Sequence, residues 1–198
     1  EVREEVERSA DSVNSKIPAS MTKADYMEMM VNRCLIEDDD FDMLVMGRTQ
    51  GKGCYCFVNG LLETQLRKLT PNYPYMVVDN EAGMEHISRG ILPKVDTIIL
   101  VSDCSRRGVQ AVGRIRSLID ECNMKPSKIG LIVNRAPGGK LNQGTLEEIE
   151  NQHLDLLGVI PQDDSVYEFD CDGRPIIQLP ADSPVRKALY SVLDGMSF

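Results

Sequence analysis

The chain has 198 residues, and 22 Lys+Arg against 31 Asp+Glu give it a net charge of -9. A compact acidic domain repels the phosphate backbone, which argues against a nucleic-acid partner. No apolar run approaches the ~18 residues that span a bilayer, so no membrane partner is expected either. Hydrophobic residues make up 42%, enough to fold, and a domain of this size buries roughly 70% of its unfolded surface without needing disulfides.

The expected organisation is a single domain over 1–198, with no repeat, low-complexity tract or composition shift. Six cysteines are too few for a disulfide scaffold, and no secretory signal opens the chain, so a reducing, cytoplasmic location is expected. The first residue is Glu1 rather than Met, which reads as a start inside a longer product. Glu1 to Arg8 has the spacing of a short helix, and Ser9 to Lys23 reads as a loop.

From residue 41 apolar runs alternate with amphipathic stretches. The runs are Phe41 to Met46, Tyr75 to Asp79, Thr97 to Ser102, Ile129 to Asn134 and Leu156 to Ile160. Each is continuously apolar, which suits strands buried on both faces of a parallel sheet. Between them, Val58 to Lys68, Gly108 to Cys122 and Thr145 to His153 read as helices. In the second, Val109, Val112, Ile115, Ile119 and Cys122 recur at helical spacing, with Arg114, Arg116 and Glu121 turned outward. A last helix is predicted from the cap Ser183, through Pro184 at its first position, to Leu193. The pattern is that of an α/β fold, with a mostly parallel sheet and helices on both faces. In such folds ligands sit beyond the carboxyl ends of the strands.

The strand ends carry the candidate site. The run ending Val77-Val78-Asp79 continues Asn80-Glu81-Ala82-Gly83. A carboxylate there can hold the water shell of Mg²⁺, and a glycine four residues on lets a bare N–H approach a γ-phosphate. An aspartate ending a strand also serves as a helix cap or a solvated loop residue. The next candidate is Asn134-Arg135, because an amide side chain pairs with a purine edge; Asn134 can equally turn the loop before Pro137-Gly138-Gly139. The third is Pro161-Gln162-Asp163, where proline stops the ladder and frees backbone to line a base pocket.

The segment Gly47-Arg48-Thr49-Gln50-Gly51-Lys52-Gly53 looks like a phosphate loop but is not one. That loop needs four residues between its glycines, then Lys, then Ser or Thr. Here three residues intervene and Gly53 stands where the hydroxyl belongs. The segment leads into Cys54-Tyr55-Cys56. Two cysteines at i and i+2 on extended chain point to one side and can chelate a soft or borderline metal. Zn²⁺, and Ni²⁺ with thiolates, takes four ligands, so a second copy of the chain is the simplest completion. Two ordinary loop thiols are the other reading. His86 reads as a hydrogen-bonding residue rather than a ligand.

The residues Gly51-x-Gly53-Cys54-Tyr55-Cys56, Asn59-x-Leu61-Leu62 and Val78-Asp79-Asn80-Glu81-Ala82-Gly83-Met84-Glu85-His86 resemble the CooC-type maturation factors of carbon monoxide dehydrogenase. Positioning ATPases of the MinD and ParA type share the Asp-x-x-x-Gly and the Asn-Lys/Arg, but lack the cysteine pair there. The resemblance implies a deviant-Walker P-loop ATPase that dimerises around nucleotide, with Cys54 and Cys56 carrying Ni²⁺ or Zn²⁺ between subunits. It implies ATP turnover with Mg²⁺, coupled to nickel insertion into carbon monoxide dehydrogenase. It assigns Asp79 to the Mg²⁺ shell, Gly83 to the γ-phosphate, and Asn134 with the Pro161 to Asp163 loop to adenine. The family begins with a strand and phosphate loop that these 198 residues lack. The expectation is therefore an N-terminally truncated chain, roughly one βαβ unit short, with little ATP hydrolysis alone.

Three other readings compete. A MinD/ParA-like positioning ATPase needs a basic DNA face or a membrane-binding tail, and Lys187 to Phe198 carries one lysine and no basic cluster. A non-catalytic, metal-stapled dimerisation module takes the chain as it stands. A thiol redox protein needs a depressed thiolate pKa, for which only Lys52 is near in sequence.

Overall fold

The computed structural model describes residues 20–45, 63–80 and 95–196. The chain divides into two compact units; the first two segments belong to one unit and the third to the other.

In the first unit, helix α1 (Lys23–Asn32) starts at a capping box. Thr22 accepts from the Asp25 amide, and Asp25 accepts from the Thr22 amide, each at 3.2 Å, which satisfies two otherwise orphaned donors. Strands β1 (Ile36–Glu37) and β2 (Asp42–Met43) form a short antiparallel ribbon in which Ile36 faces Met43. Residues 63–69 are helical and run into a 3₁₀ turn at Thr70–Asn72. Lys68 pairs with Glu28, and the Tyr73 hydroxyl donates to Asp42.

Two expectations fail here. The run from Phe41 is not part of a parallel sheet; its described part lies in the small ribbon, with Phe41 and Val45 exposed. Tyr75 to Asp79 forms no strand, and Val77 is 92% exposed. The physical reason is the same for both. An apolar run becomes a buried strand only where neighbouring strands complete its hydrogen bonds and helices cover its faces; among the described residues the first run has a single partner strand, β1, and the second has none.

The second unit fulfils the α/β expectation. Its parallel sheet has the order β3 (Thr97–Asp103), β4 (Lys128–Ala136), β5 (Leu156–Pro161). Helix α2 (Arg106–Glu121) joins β3 to β4, and α3 (Gln143–Asn151) joins β4 to β5. Helices α4 (Asp164–Cys171) and α5 (Pro184–Asp194) follow. Strand β4 is central, and Gly130, Leu131, Ile132 and Val133 are buried in succession. Alternate side chains serve opposite faces. Leu131 and Val133 pack with Val109, Val112 and Ile119 of α2 and Ile149 of α3. Ile132 packs with Ile160 of β5 and Val192 of α5. That is why the run is apolar without alternation. Helix α5 seats directly on β5 at Gly158, where a Cβ would run into Val192.

Candidate functional site

The three strands of the second unit end side by side. Asp103 at the end of β3 stands opposite Asn134 of β4, and Ala136 of β4 stands opposite Pro161 of β5. The candidate residues Asn134, Arg135, Pro161 and Asp163 therefore gather at the carboxyl edge of one parallel sheet, where ligands of such folds bind.

Asn134 accepts a hydrogen bond on its Oδ1 from the Arg135 amide at 2.9 Å. Its Nδ2 has no partner among the described residues. Arg135 is exposed and held at φ +57°, a left-handed conformation costly for a side chain with a Cβ. Its carbonyl accepts from the Cys104 thiol at 3.9 Å. Beyond it, Gly138 and Gly139 take φ of +59° and +68°, the turn anticipated for this loop.

Pro161 is the last residue of β5. The Gln162 amide then reaches back to the Ala136 carbonyl at 2.9 Å, so the loop stays tied to the central strand. Asp163 caps α4: its Oδ1 accepts from the Ser165 amide at 3.0 Å and the Ser165 hydroxyl at 2.6 Å. Its Oδ2 accepts from the Ser183 hydroxyl at 3.2 Å. Hydrogen bonds from the Ser165 hydroxyl and amide, ahead of those from Ser183 and Val185, hold its pKa below the usual carboxylate value. Both carboxylate oxygens thus accept from protein donors.

Asp103 was not a sequence candidate, yet it sits in the same row. Its Oδ1 accepts from the Ser105 amide at 2.9 Å and hydroxyl at 2.6 Å, and those two bonds lower its pKa. Ser105 in turn caps α2 by accepting from the Gly108 amide at 3.0 Å. A Cβ at Gly108 would collide with Asp103 Oδ1 and Ser102 Oγ, so the bare glycine lets α2 approach the strand end. The signal was legible as Asp-x-Ser directly after an apolar run. The same signal recurs at Asp163-Asp164-Ser165 and marks the start of α4, a helix that the sequence analysis did not assign.

Behind this row, Glu148 of α3 is 4% exposed and accepts from Gln152 and Arg106 at 3.0 Å each. Those partners lower its pKa, the Gln152 amide first. Thr145 donates to the Cys104 carbonyl at 2.7 Å. Together they fasten α3 to α2 and to the β3–α2 turn.

Asp79 lies in the first unit and is exposed. Gly83, His86, Cys54 and Cys56 lie outside the described residues. Among the described residues no cluster of three or more His, Cys, Asp or Glu could hold a metal, and no helix is long and apolar enough to cross a membrane. Of the other cysteines, Cys34, Cys104 and Cys122 are half-buried and free, and Cys171 is exposed and free.

No family model matches the chain. An uncharacterized ATP-binding protein of Methanocaldococcus jannaschii is 34% identical over 198 residues, covering 98% of this chain and 76% of that protein. The carbon monoxide dehydrogenase accessory protein CooC of Rhodospirillum rubrum is 30% identical over 166 residues, 76% of this chain and 57% of that protein. Among solved structures, a ParA family ATPase of Chlorobium tepidum superposes with a TM-score of 0.65 at 17% identity, over 96% of this chain and 72% of that one. The septum site-determining protein MinD of Pyrococcus horikoshii, complexed with Mg-ADP, gives 0.63 at 16% identity, over 92% and 74%.

Proposed function

Because the chain belongs to the MinD/ParA-like family of P-loop ATPases, we propose that it acts in ATP-dependent nickel insertion into carbon monoxide dehydrogenase, carrying Ni²⁺ or Zn²⁺ on Cys54 and Cys56 between two copies of itself. The observation that carries this reading is the Cys54-Tyr55-Cys56 pair followed by Asp79 and Gly83 in one chain, together with 30% identity to CooC. Two thiolates per chain leave a tetrahedral ion half-coordinated, and a two-fold axis supplies the other two. The metal is the cargo, and borderline or soft ions suit thiolate donors.

In this reading ATP and Mg²⁺ bind at the strand ends. Asp79 belongs to the Mg²⁺ water shell and Gly83 to the γ-phosphate contact. Asn134, with an amide nitrogen still free to donate, meets the adenine edge, and Arg135 flanks it. The Pro161–Gln162 backbone supplies the other wall. The acidic charge of the chain does not suit a nucleic-acid partner, and the cytoplasm is the compartment in which the thiols stay reduced. A MinD/ParA-like positioning role would show itself as binding to anionic vesicles.

The test is light scattering with metal analysis on the same peak, for the reduced chain and for the Cys54→Ser, Cys56→Ser double variant. The expected result is a metal-dependent dimer holding about one ion per two chains, the count that four thiolates per tetrahedral ion demands. The variant stays monomeric and metal-free. A parent that takes up no Ni²⁺ or Zn²⁺, or a variant that behaves like it, overturns the metal-carrier reading.

A further inference from the structure

We propose that Asp163 is a positioning residue whose single carboxylate joins the N-termini of α4 and α5 and so holds the 161–163 loop in place at the end of β5. The geometry on both sides is complete. Toward α4, Oδ1 takes the Ser165 amide and hydroxyl. Toward α5, Oδ2 takes the hydroxyl of Ser183, which is 6% exposed and is itself the α5 cap, accepting from the Arg186 amide at 3.4 Å. The Val185 amide, in the first turn of α5, adds a smaller pull that also lowers the pKa of the Asp163 carboxylate.

Ordinary caps serve one helix. Here the positive ends of two helix dipoles converge on one anion. The residue just before it, Gln162, is bonded through its amide to Ala136 at the end of β4. The loop is therefore anchored at both ends, by the central strand behind and by two helices ahead. With both oxygens occupied, Asp163 has a task other than the adenine contact that the family resemblance implies. It fixes where Pro161 and Gln162 present their backbone. The consequence for nucleotide rests on the reading given under Proposed function; the brace itself does not.

The experiment is amide hydrogen exchange by NMR on the whole chain, for the parent and for Asp163→Ala, Asp163→Asn and Ser183→Ala. The readout is Gln162 exchange relative to that of Leu131, whose amide bonds the Asp155 carbonyl in the same sheet and reports global stability. In Asp163→Ala, Gln162 should exchange about tenfold faster relative to Leu131, the scale of one lost cap. Ser183→Ala should move it in the same direction by less. Asp163→Asn keeps one acceptor oxygen for the Ser165 side but replaces the other with an uncharged NH2, which can only donate to Ser183 Oγ, so it should fall between parent and Ala.

Unchanged relative exchange at Gln162 in Asp163→Ala overturns the proposal. So does an unchanged Gln162 ratio in Ser183→Ala, because the α5 side of the brace would then hold nothing. Mg-ADP titration of the parent is run alongside. If the parent takes up no Mg-ADP, the nucleotide-site reading fails, and the exchange data still decide the brace.

Discussion

Two strand ends of the same sheet carry the same device and use it differently. After β3 the sequence is Asp103-Cys104-Ser105, and after β5 it is Asp163-Asp164-Ser165. In both, one carboxylate oxygen takes the amide and hydroxyl of the serine two residues on, with the hydroxyl at 2.6 Å in each case. At β3 the serine becomes the cap of the next helix, and the aspartate merely orients it. At β5 the aspartate is itself the cap, and its second oxygen reaches a second helix. The local motif sets the turn. What packs against it decides whether the carboxylate keeps a free oxygen or is fully engaged within the protein.

The largest way to break the comparison is Asp163→Ala set against Asp103→Ala. Losing a cap costs about 1 kcal/mol, with a range of about 0.5–2. Asp163 serves two helices, so its removal should sit near the top of that range. Asp103 caps nothing directly and accepts from a single serine, so its removal should cost about 1 kcal/mol, the scale of a net hydrogen bond, and less than removal of Asp163. Urea unfolding of both variants checks the order, and a reversed order removes the distinction between the two ends.

Acid sharpens it next. Asp103, Asp163 and Glu148 are all held below their ordinary values by the hydrogen bonds they accept. A carboxylate lowered by folding stabilises the native state above its unfolded pKa, near 4. That contribution fades as pH falls through the lower folded value. Stability should therefore drop below about pH 4. The gap between the parent and Asp163→Asn should narrow as the pH falls, by more than the gap for Asp103→Asn, because Asp163 has donors on two helices. A gap independent of pH from 6 to 2.5, on either side of the ordinary carboxylate value of about 4, means the carboxylates contribute no more than their neutral forms.

Much of this was legible in the sequence, and the exceptions share a cause. Continuous burial of Leu131, Ile132 and Val133 followed from an unbroken apolar run, and Ser183-Pro184 announced α5. Tyr75 to Val78 is equally apolar and stays exposed. Composition records what a segment can bury, not whether a partner is there to bury it. The candidate row Asn134 and Pro161 was found by reading strand ends in order. Asp103 escaped because the predicted strand stopped at Ser102. At Asp163 the structure adds a helix-capping task that the sequence reading did not include, because a base-contacting carboxylate and a helix cap look alike in sequence and only the positions of Ser165 and Ser183 reveal the cap.

The smallest effect tests the device at its serines. Ser105 Oγ both donates to Asp103 and accepts from Gly108, so Ser105→Ala strips α2 of its cap and should cost about 1 kcal/mol. Ser165 lies inside α4, where its hydroxyl only donates. Ser165→Ala keeps the amide that Asp163 caps, and alanine gains a few tenths of a kcal/mol of helix propensity. The two terms nearly cancel, leaving a change within about 0.5 kcal/mol. Matched urea unfolding of the pair decides it. Equal losses would mean that the serine hydroxyl stabilises both turns in the same way, and that the division of labour between Asp103 and Asp163 is geometric but not energetic.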